Sequence, residues 1–512
     1  MAHGIEEAVV CPGSRNAPIV HNLQLCPDIR CTAVTDERSA GFYALGIALA
    51  TGRPVAVCVT SGSALLNLSP SVAEAAYRHV PLIIVSADRP TEWIDQLDGQ
   101  TLPQPNALGV LVRKCVQLPE EPEKHWYCNR LVNEALLVAT SRGGGPVHIN
   151  VPLDEPLFEF SASKLPTERV IRHIPSPSIP LAEVTERLHQ AAFPMLVIGQ
   201  MPYDRGTEQA VGLLARKLLI LQEPLSPGQG TVAFDEVLKQ ETTTLNPPDF
   251  VLYLGDTIVS KRLRHYLRNL EETEIWSVCE DGEVHDTMKH QTAVITCNPS
   301  ILLRQLSENY SGNLCKPAQQ WAQALTEAEE TVAAEPLTFS ADGAVRYFEE
   351  QLEDMDYPFQ VHYANSTAVR LANRHARHYV WCNRGVNGIE GSLSTAAGFS
   401  LATRDMVFCI IGDLSFFYDQ NALWNRHVGG NLRILLLNNG GGEIFATLPG
   451  LSQSPAAKDY IAAAHDTSAQ GICTQNDIGY IKATNLEEMQ LAIVRLLTAE
   501  TQRPLLAEIR FT

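Results

Sequence analysis

Two apolar segments near the C-terminus each end in a side chain that can bind a metal. Met406–Gly412 is followed by Asp413, and Leu432–Asn438 is followed by Asn439. Each run is typical of a buried parallel strand, and the stretch between them has room for one crossover helix. Parallel strands end at one edge of a sheet, so a carboxylate and an amide oxygen are expected to converge there beside glycines 440–442. Such oxygens suit Mg²⁺ that carries a diphosphate, although two core strands that end in Asp and Asn by chance are the alternative.

A second acidic group, Asp36 with Glu37, stands at the start of a predicted helix in the N-terminal third. Asp36 is predicted to cap a helix of small and apolar residues that runs on to Gly46, which places Glu37 at the mouth of that helix. A carboxyl group in this position can hydrogen-bond to a cofactor nitrogen or exchange protons with it. The alternative is that both acids only stabilise the helix dipole.

Several predicted strands close in polar turns that open a helix, an arrangement that suits anions and close backbone approach. Ser366 and Arg370 fall on consecutive turns of one predicted helix. Five arginines accompany such turns in a protein of net charge −19, and together they predict a pocket for small anions, although a surface role suits any one of them. The turns are Cys11–Pro18, with Ser14 and Arg15; Thr60–Ser63, followed by Asn67; and the glycine-dense Asn383–Gly391, with Arg384. Gln100 lies in a polar loop, Asp98–Thr101, where simple exposure is the alternative to a functional role. The arginines are Arg15, Arg38, Arg262, Arg370 and Arg384.

The composition excludes several classes of protein. A length of 512 residues allows roughly three domains, and 45% hydrophobic with 19% charged residues are typical of a soluble globular protein. The net charge of −19 argues against a nucleic-acid partner. No apolar run is long enough for a membrane span, and the N-terminus lacks the features of a signal peptide. The 12 cysteines contain no Cys-x-x-Cys pair, so reduced thiols in a cytoplasmic protein are predicted.

Apolar strand-like runs alternate with helical patterns along the whole chain. This alternation predicts an α/β protein whose parallel sheets are covered by helices on both faces. Two segments are typical of linkers: 161–180 is rich in Pro, Ser and charge, and 326–340 is acidic, helical and then broken at Pro336. They divide the chain into three predicted doubly wound domains at 1–165, 166–335 and 336–512.

Taken in order, these motifs resemble those of thiamine-diphosphate (ThDP) enzymes, which usually pair Gly-Asp-Gly with a later Asn-Asn. The sequence motifs at Gly412–Ser415 and Asn383–Gly391 are more specific than this family-wide pair. They are similar to those of the family of 2-succinyl-5-enolpyruvyl-6-hydroxy-3-cyclohexene-1-carboxylate synthases of menaquinone biosynthesis, in which Leu414 matches the subfamily pattern. Gly440 stands where many relatives carry a third Asn. Further stretches that carry the resemblance over essentially the whole chain are 11–19, 35–46, 60–68, 80–90, 98–101, 145–158, 260–262 and 438–449.

The resemblance implies a pyrimidine-binding domain, a central domain without cofactor and a diphosphate-binding domain. Glu37 matches the catalytic glutamate that hydrogen-bonds N1′ of the aminopyrimidine, and Ile389 matches the side chain that holds the cofactor bent. The implied ligands of Mg²⁺, or of Mn²⁺, are Asp413, Asn439 and the Gly441 carbonyl. The implied cofactor-binding set is Pro12, Glu37, Ser63, Asn67, Ser366, Gly388, Ile389, Gly412, Asp413, Leu414, Ser415, Asn439, Gly441, Gly442 and Ile444.

By the same resemblance, the enzyme decarboxylates 2-oxoglutarate and adds the succinyl-semialdehyde unit to isochorismate in a 1,4 sense. Both substrates are dicarboxylates, which gives the arginines a purpose. The family's active sites lie between the first domain of one subunit and the third domain of its partner, so a homodimer or homotetramer is implied. Members of the family normally have a helix before the first strand and continue past the residue that matches Thr512, so both ends of this chain are expected to be shorter than the family pattern. The implied substrate contacts are Ser14, Arg15, Gln100, Lys261, Arg262, Ser366, Arg370, Arg384, Ile444, Phe445 and Leu448.

Two other functions fit parts of the pattern. A different ThDP-dependent 2-oxoacid decarboxylase or carboligase would share the Asp413 and Asn439 pair but not the arginine set. A non-catalytic α/β protein could keep the scaffold as a binding module, which the intact Glu37 and Asp413 argue against.

Overall fold

Three parallel sheets follow one another along the chain, each flanked by helices, so the predicted α/β fold of ThDP-enzyme type is confirmed. The computed structural model describes residues 1–141, 143–160, 165–171, 179–228, 233–239, 245–442 and 450–511. The predicted apolar runs become strands to within one residue; Pro54–Thr60, for example, becomes Val55–Val59. Among the helices of these described ranges, none combines the length and apolar character that a bilayer crossing requires.

The first sheet lies within the N-terminal part of the chain. Its strands are β1 (Glu7–Val10), β2 (Arg30–Ala33), β3 (Val55–Val59), β4 (Leu82–Asp88), β5 (Lys114–Gln117) and β6 (Val147–Pro152), in the spatial order β2-β1-β3-β4-β6-β5. Its helices are α1 (Ala17–Leu25), α2 (Glu37–Thr51), α3 (Ser63–Asn67), α4 (Ser69–Tyr77) and α5 (His125–Thr140).

The second sheet has five strands, and its two faces carry separate apolar clusters. The strands are β7 (Pro194–Ile198), β8 (Leu219–Gln222), β9 (Phe250–Leu254), β10 (Glu274–Cys279) and β11 (Gln291–Thr296), in the order β11-β10-β9-β7-β8. The helices are α6 (Leu181–Gln190), α7 (Arg205–Leu214), α8 (Phe234–Val237), α9 (Lys261–Arg268), α10 (Pro299–Asn309) and α11 (Lys316–Ala334).

The third sheet contains the two apolar segments Met406–Gly412 and Leu432–Asn438 as neighbouring strands. Its strands are β12 (Phe359–Tyr363), β13 (Val380–Trp381), β14 (Met406–Gly412), β15 (Leu432–Asn438), β16 (Gly479–Ala483) and β17 (Leu505–Arg510), in the order β13-β12-β14-β15-β17-β16. Its helices are α12 (Ala341–Glu353), α13 (Thr367–His375), α14 (Ser392–Leu401), α15 (Asp413–Tyr418), α16 (Gln470–Gln475) and α17 (Leu486–Thr498), with a π-helical turn at Ala457–Ile461.

The first and third sheets have the same strand order. When the strands of each are counted from its own first strand, both read 2-1-3-4-6-5. Helices α2 and α14 hold equivalent places, because each connects the second and third strands of its sheet. The sequence shows no short repeat that would have predicted this duplication.

Helices α2 and α14 pack closely against each other through glycine. A Cβ atom on Gly46 would lie 2.1 Å from the carbonyl oxygen of Thr395, and one on Gly398 would lie 2.3 Å from that of Tyr43. Both helices are buried over most of their length. One apolar cluster consequently runs through the first and third sheets, from Val9 to Ile509.

We expect Gly398→Ala to destabilise the protein, because the added methyl group collides with backbone that cannot rotate away. Overpacking of this kind costs about 1–3 kcal/mol, which exceeds the gain of about 1 kcal/mol in helix propensity. The matched control is Gly212→Ala on α7, where a Cβ atom meets nothing within 4 Å. That control is expected to stabilise by about 0.4–1 kcal/mol. Thermal unfolding of both variants checks the opposite signs, and equal midpoints would contradict the packing argument.

Candidate active site

The carboxylate of Asp413 lies at the edge where β14 and β15 end side by side. Gly412 pairs with Leu437, so the residues after both strands leave the sheet together. Asp413 Oδ1 accepts the N–H of Leu414 at 2.6 Å. Its Oδ2 accepts the N–H groups of Asn439, Gly440 and Gly441 at 3.2, 2.8 and 3.0 Å. The predicted convergence of the two strand ends is therefore present in the structure.

Asp413 is buried, and its surroundings have opposite effects on the pKa of its carboxyl group. Burial raises the pKa of its carboxyl group, whereas the N–H groups around it and His465 lower it. His465 Nε2 lies 3.5 Å from Asp413 Oδ2 and has no hydrogen-bond partner among the described residues. No spacing pattern in the sequence pointed to His465, which lies in a loop before α16.

The chemistry of this edge fits a divalent cation bound to a diphosphate. Its donors are hard oxygens, which Mg²⁺ prefers. A Cβ atom on Gly412 would meet nothing within 4 Å, so there is open space beside the end of β14. Gly441 has a φ of +152°, which favours glycine and turns the backbone sharply. A backbone hydrogen bond stabilises this turn: the N–H of His465 donates to the Gly440 carbonyl at 2.9 Å.

Asn365 joins the glycine-dense loop Asn383–Gly391 to the end of β12. Its Nδ2 donates to the carbonyls of Asn383 and Gly388, and its Oδ1 accepts from Arg384 Nη1 at 3.0 Å. Ser415 Oγ donates to the Ile389 carbonyl, which ties the same loop to α15. The Ile389 side chain is 42% exposed and is free to contact a ligand.

Ser366 lies before the helix on which the sequence pattern placed it. Helix α13 begins at Thr367, and Ser366 has a φ of +72°, which is incompatible with a right-handed helix. The prediction that Ser366 occupies a helical turn is therefore wrong, because the chain passes from β12 to α13 through a residue with positive φ. Arg370 does lie on α13, as expected.

The start of α2 is organised as predicted. Asp36 caps the helix by accepting the N–H of Ser39 at 3.0 Å. Glu37 is partly buried, and its Oε2 accepts from Asn67 Nδ2 at 3.2 Å. The neighbouring Arg38 donates to the Tyr418 carbonyl at 2.9 Å, so this helix start lies against the C-terminal end of α15.

Pro12, Ser14 and Arg15 form the turn between β1 and α1. Arg15 is buried, and its Nη1 donates to the Leu153 carbonyl at 2.8 Å. Its Nη2 lies 3.5 Å from Glu155 Oε1. These contacts hold the guanidinium within the first domain.

Gln100 lies beside the turn that leads into Ser63. A Cβ atom on Gly62 would be 3.2 Å from the Gln100 carbonyl carbon and oxygen, so the two loops touch through their backbones. The buried side chain of Gln104 stabilises this contact, because its Oε1 accepts the Gly62 N–H at 2.7 Å. The structure therefore brings Ser63 and Gln100 to one place in the first domain.

Cationic side chains of the second and third domains line a cleft of about 490 Å³, which we call the cationic cleft. Burial and the neighbouring guanidinium groups of Arg384 and Arg264 lower the pKa of Arg370. The Nε atoms of Arg370 and Arg384 are buried without a hydrogen-bond partner among the described residues. Such crowding of like charges favours an anion as the missing partner. The cleft is lined by Lys261, Arg262 and Arg370 together with Asp235, Glu236, Val259, Ser260, Asn373, Arg374 and Arg377, among others.

The sequence did not point to Glu74, which reaches from α4 into the glycine-dense loop. Its carboxylate accepts the N–H groups of Gly385 and Val386, both at 2.9 Å. It is 1% exposed, and burial raises its pKa. This contact fixes the residues beside Arg384. The predicted contacts Ile444, Phe445 and Leu448 lie outside the described residues.

Two parts of the chain match families of ThDP enzymes. Residues 1–108 match the family described as "Thiamine pyrophosphate enzyme, N-terminal TPP binding domain", where thiamine pyrophosphate is another name for ThDP. Residues 186–346 match "Middle domain of thiamine pyrophosphate". The first match covers β1 to β4 of the first sheet, and the second covers all five strands of the second sheet.

Curated relatives match nearly the whole chain under one name, "2-succinyl-5-enolpyruvyl-6-hydroxy-3-cyclohexene-1-carboxylate synthase". A protein of Phocaeicola vulgatus is 44% identical over 99% of this chain and 93% of its own length. One of Bacteroides thetaiotaomicron is 43% identical with the same coverage, and one of Bacteroides fragilis is 44% identical over 96% of this chain and 90% of its own. This chain therefore belongs to the family of 2-succinyl-5-enolpyruvyl-6-hydroxy-3-cyclohexene-1-carboxylate synthases, which are ThDP-dependent enzymes.

Proposed function

We propose that this chain decarboxylates 2-oxoglutarate and adds the remaining four-carbon unit to isochorismate, a step of menaquinone biosynthesis. The observation that carries the proposal is one hydrogen-bonded network between two kinds of site. Ser415, two residues after Asp413, holds the glycine-dense loop through Ile389, and Asn365 holds the same loop and Arg384. The edge proposed to bind the metal and the arginine proposed to bind an anion would therefore be held by one hydrogen-bonded network.

Asp413, the side-chain oxygen of Asn439 and the Gly441 carbonyl would hold Mg²⁺, or Mn²⁺ with its similar preference for oxygen. Gly412, Leu414, Ser415 and Gly442 would line the diphosphate beside them. Ser366, between β12 and α13, and Gly388, in the glycine-dense loop, would add to this lining. When bound, ThDP supplies the electron sink that allows a 2-oxoacid to lose CO₂.

Glu37 would hold a proton at N1′ of the aminopyrimidine, with Pro12, Ser63 and Asn67 around it. Its Oε2 already accepts from Asn67, which fixes the carboxylate at the mouth of α2. Within one chain, this helix start contacts Tyr418, at the opposite end of α15 from Asp413. What supports a homodimer or homotetramer, in which the first domain of one subunit faces the third domain of another, is the resemblance to other ThDP enzymes.

The cations would bind the carboxylates of the two substrates. Guanidinium groups pair with carboxylates through two parallel hydrogen bonds, and both substrates carry two carboxylates. Lys261, Arg262 and Arg370 line the cationic cleft, and Arg384 lies close enough to Arg370 to lower its pKa. Ser14, Arg15 and Gln100 would contribute from the first domain.

The direct test is product analysis with both substrates present and with each omitted in turn. The holoenzyme is expected to release CO₂ from 2-oxoglutarate and to consume isochorismate only when 2-oxoglutarate is present. If neither substrate is consumed, the proposed reaction is wrong, and a different ThDP carboligase becomes the better interpretation.

Arg370→Ala is expected to impair turnover without weakening ThDP binding. Loss of one charge-assisted hydrogen bond costs about 1.5–3 kcal/mol, which corresponds to roughly 10- to 100-fold in kcat/KM. The control is Arg216→Ala, which removes an exposed arginine of the second domain. Steady-state kinetics with each substrate varied gives the loss, and calorimetry gives the ThDP affinity. Wild-type kinetics in Arg370→Ala would contradict the anion-pocket assignment.

A further inference from the structure

The buried carboxylate of Glu223 lies behind the cationic cleft. Glu223 follows β8 and is 1% exposed. Its Oε2 accepts the Val259 N–H at 2.7 Å, and its Oε1 accepts both the Ser260 N–H at 2.7 Å and Asn373 Nδ2 at 2.8 Å. Two of these donors belong to the second domain and one to the third. The carboxylate therefore bridges the two domains at the base of the cleft.

Each group that Glu223 holds stands next to a cation of the cleft. The Val259 carbonyl accepts from Arg370 Nη1 at 3.5 Å. Ser260 is the N-cap of α9, whose first two residues are Lys261 and Arg262. On the facing wall, Asn373 lies one turn after Arg370 on α13. One buried side chain thus contacts both cationic walls and contributes to their separation.

The charge of Glu223 also suits this place. Its carboxylate stabilises the charged forms of Arg370 and Arg264, whose pKa values are lowered by burial and by neighbouring guanidinium groups, that of Arg384 among them. Burial raises the pKa of Glu223 itself to about 7, and the three donors oppose that rise. The next residue reinforces the junction, because the Pro224 carbonyl accepts the Val380 N–H at 2.8 Å.

We infer that Glu223 is a positioning residue for dicarboxylate binding: it sets the distance between the Lys261–Arg262 wall and the Arg370 wall without touching the substrate. The inference rests on the proposed function, since it takes the cleft to be the place where substrate carboxylates bind. It assigns a role to a side chain that neither the motifs nor the cofactor chemistry had required.

The test uses Glu223→Gln in the holoenzyme with ThDP and Mg²⁺. The amide keeps the shape of the side chain but removes the charge and places an N–H₂ group against a backbone donor. Misplaced anchors are expected to weaken succinate binding, measured by calorimetry, and to raise the KM of a dicarboxylate substrate by at least about tenfold. ThDP affinity is expected to change by less than about twofold, because the Asp413 edge is untouched.

Two comparisons separate positioning from a general structural role. Glu349→Gln removes another buried carboxylate, which accepts from Tyr363 and His378 away from the cleft, and it is expected to leave succinate binding unchanged. If Glu223 acts through Arg370, adding Glu223→Gln to Arg370→Ala should weaken succinate binding little further, whereas independent effects would multiply.

The outcomes distinguish this inference from the proposed function. Wild-type protein that binds succinate but consumes neither substrate would overturn the function and leave the positioning role standing. Wild-type turnover together with equal succinate affinity in Glu223→Gln would overturn the positioning role alone. Full multiplication of the two variants' effects, or parallel loss of ThDP affinity, would also overturn it.

Discussion

Replacing Asp413 with alanine is expected to abolish Mg²⁺-dependent ThDP binding. The carboxylate is the charged ligand of the proposed metal, and it also accepts four backbone N–H groups that shape the glycine turn. Its loss removes the bridge between protein and diphosphate and leaves those donors without their acceptor. Since even outer-shell changes cost roughly 10- to 100-fold in metal affinity, we expect a loss of more than about 100-fold here.

Calorimetric titration of ThDP in the presence of Mg²⁺ measures this effect. Asp477→Ala is the control, because Asp477 belongs to the same domain and its side chain is 93% exposed. Removal of the divalent ion with a chelator should reproduce the Asp413→Ala result in wild-type protein. Unchanged ThDP affinity in the variant would show that the strand-end carboxylate does not carry the metal.

The second large effect is expected at Glu37. Glu37→Gln preserves the shape of the side chain and can still accept from Asn67, so ThDP should bind within a few-fold of wild type. The amide cannot take up a proton, and removal of a positioned acid–base group costs typically 10²–10⁴-fold in rate. Hydrogen–deuterium exchange at C2 of bound ThDP reports this step without the substrates.

Asp36→Asn is the matched control for Glu37→Gln, since Asn caps helices about as well as Asp. It should leave C2 exchange near the wild-type rate, and an unchanged rate in Glu37→Gln would reduce Glu37 to a helix-start acid. Mixing Glu37→Gln with Asp413→Ala protein adds a test of assembly. If sites are shared between subunits, an equal mixture should recover about a quarter of wild-type activity, since half the dimers carry one intact site. No recovery despite proven subunit exchange would place the site within one chain.

The elements that position the site could be predicted because they depend on local pattern. Buried parallel strands are continuous apolar runs, so β14 and β15 were found to within one residue, and with them the meeting of Asp413 and Asn439. The cap by Asp36 followed from the preference of that residue type at a helix start. Each of these features is decided within a short window of sequence.

The side chains that hold the loops could not be predicted in the same way. Glu74, Glu223 and His465 are single polar residues whose partners come from distant segments. Their roles depend on how distant segments pack together, and the spacing of residues along the sequence does not reveal that packing. Arg15 shows the same difficulty. Its motif predicts a bound anion, whereas its guanidinium group donates a hydrogen bond to the Leu153 carbonyl. A motif identifies a residue's chemistry, but burial and neighbours determine its partner.

The glycine contact between α2 and α14 gives the molecule an approximate internal two-fold symmetry. Two sheets of the same strand order face each other across a pair of equivalent helices, so the chain resembles two subunits fused into one. The side chains proposed for the site lie at different positions of the two copies, because Glu37 begins α2 after the second strand and Asp413 begins α15 after the third strand of its sheet. A change in the shared helix pair disturbs both copies at once. A substitution at the contact between α2 and α14 is therefore expected to disturb both sheets, whereas one at Glu37 or Asp413 acts at the edge of a single sheet.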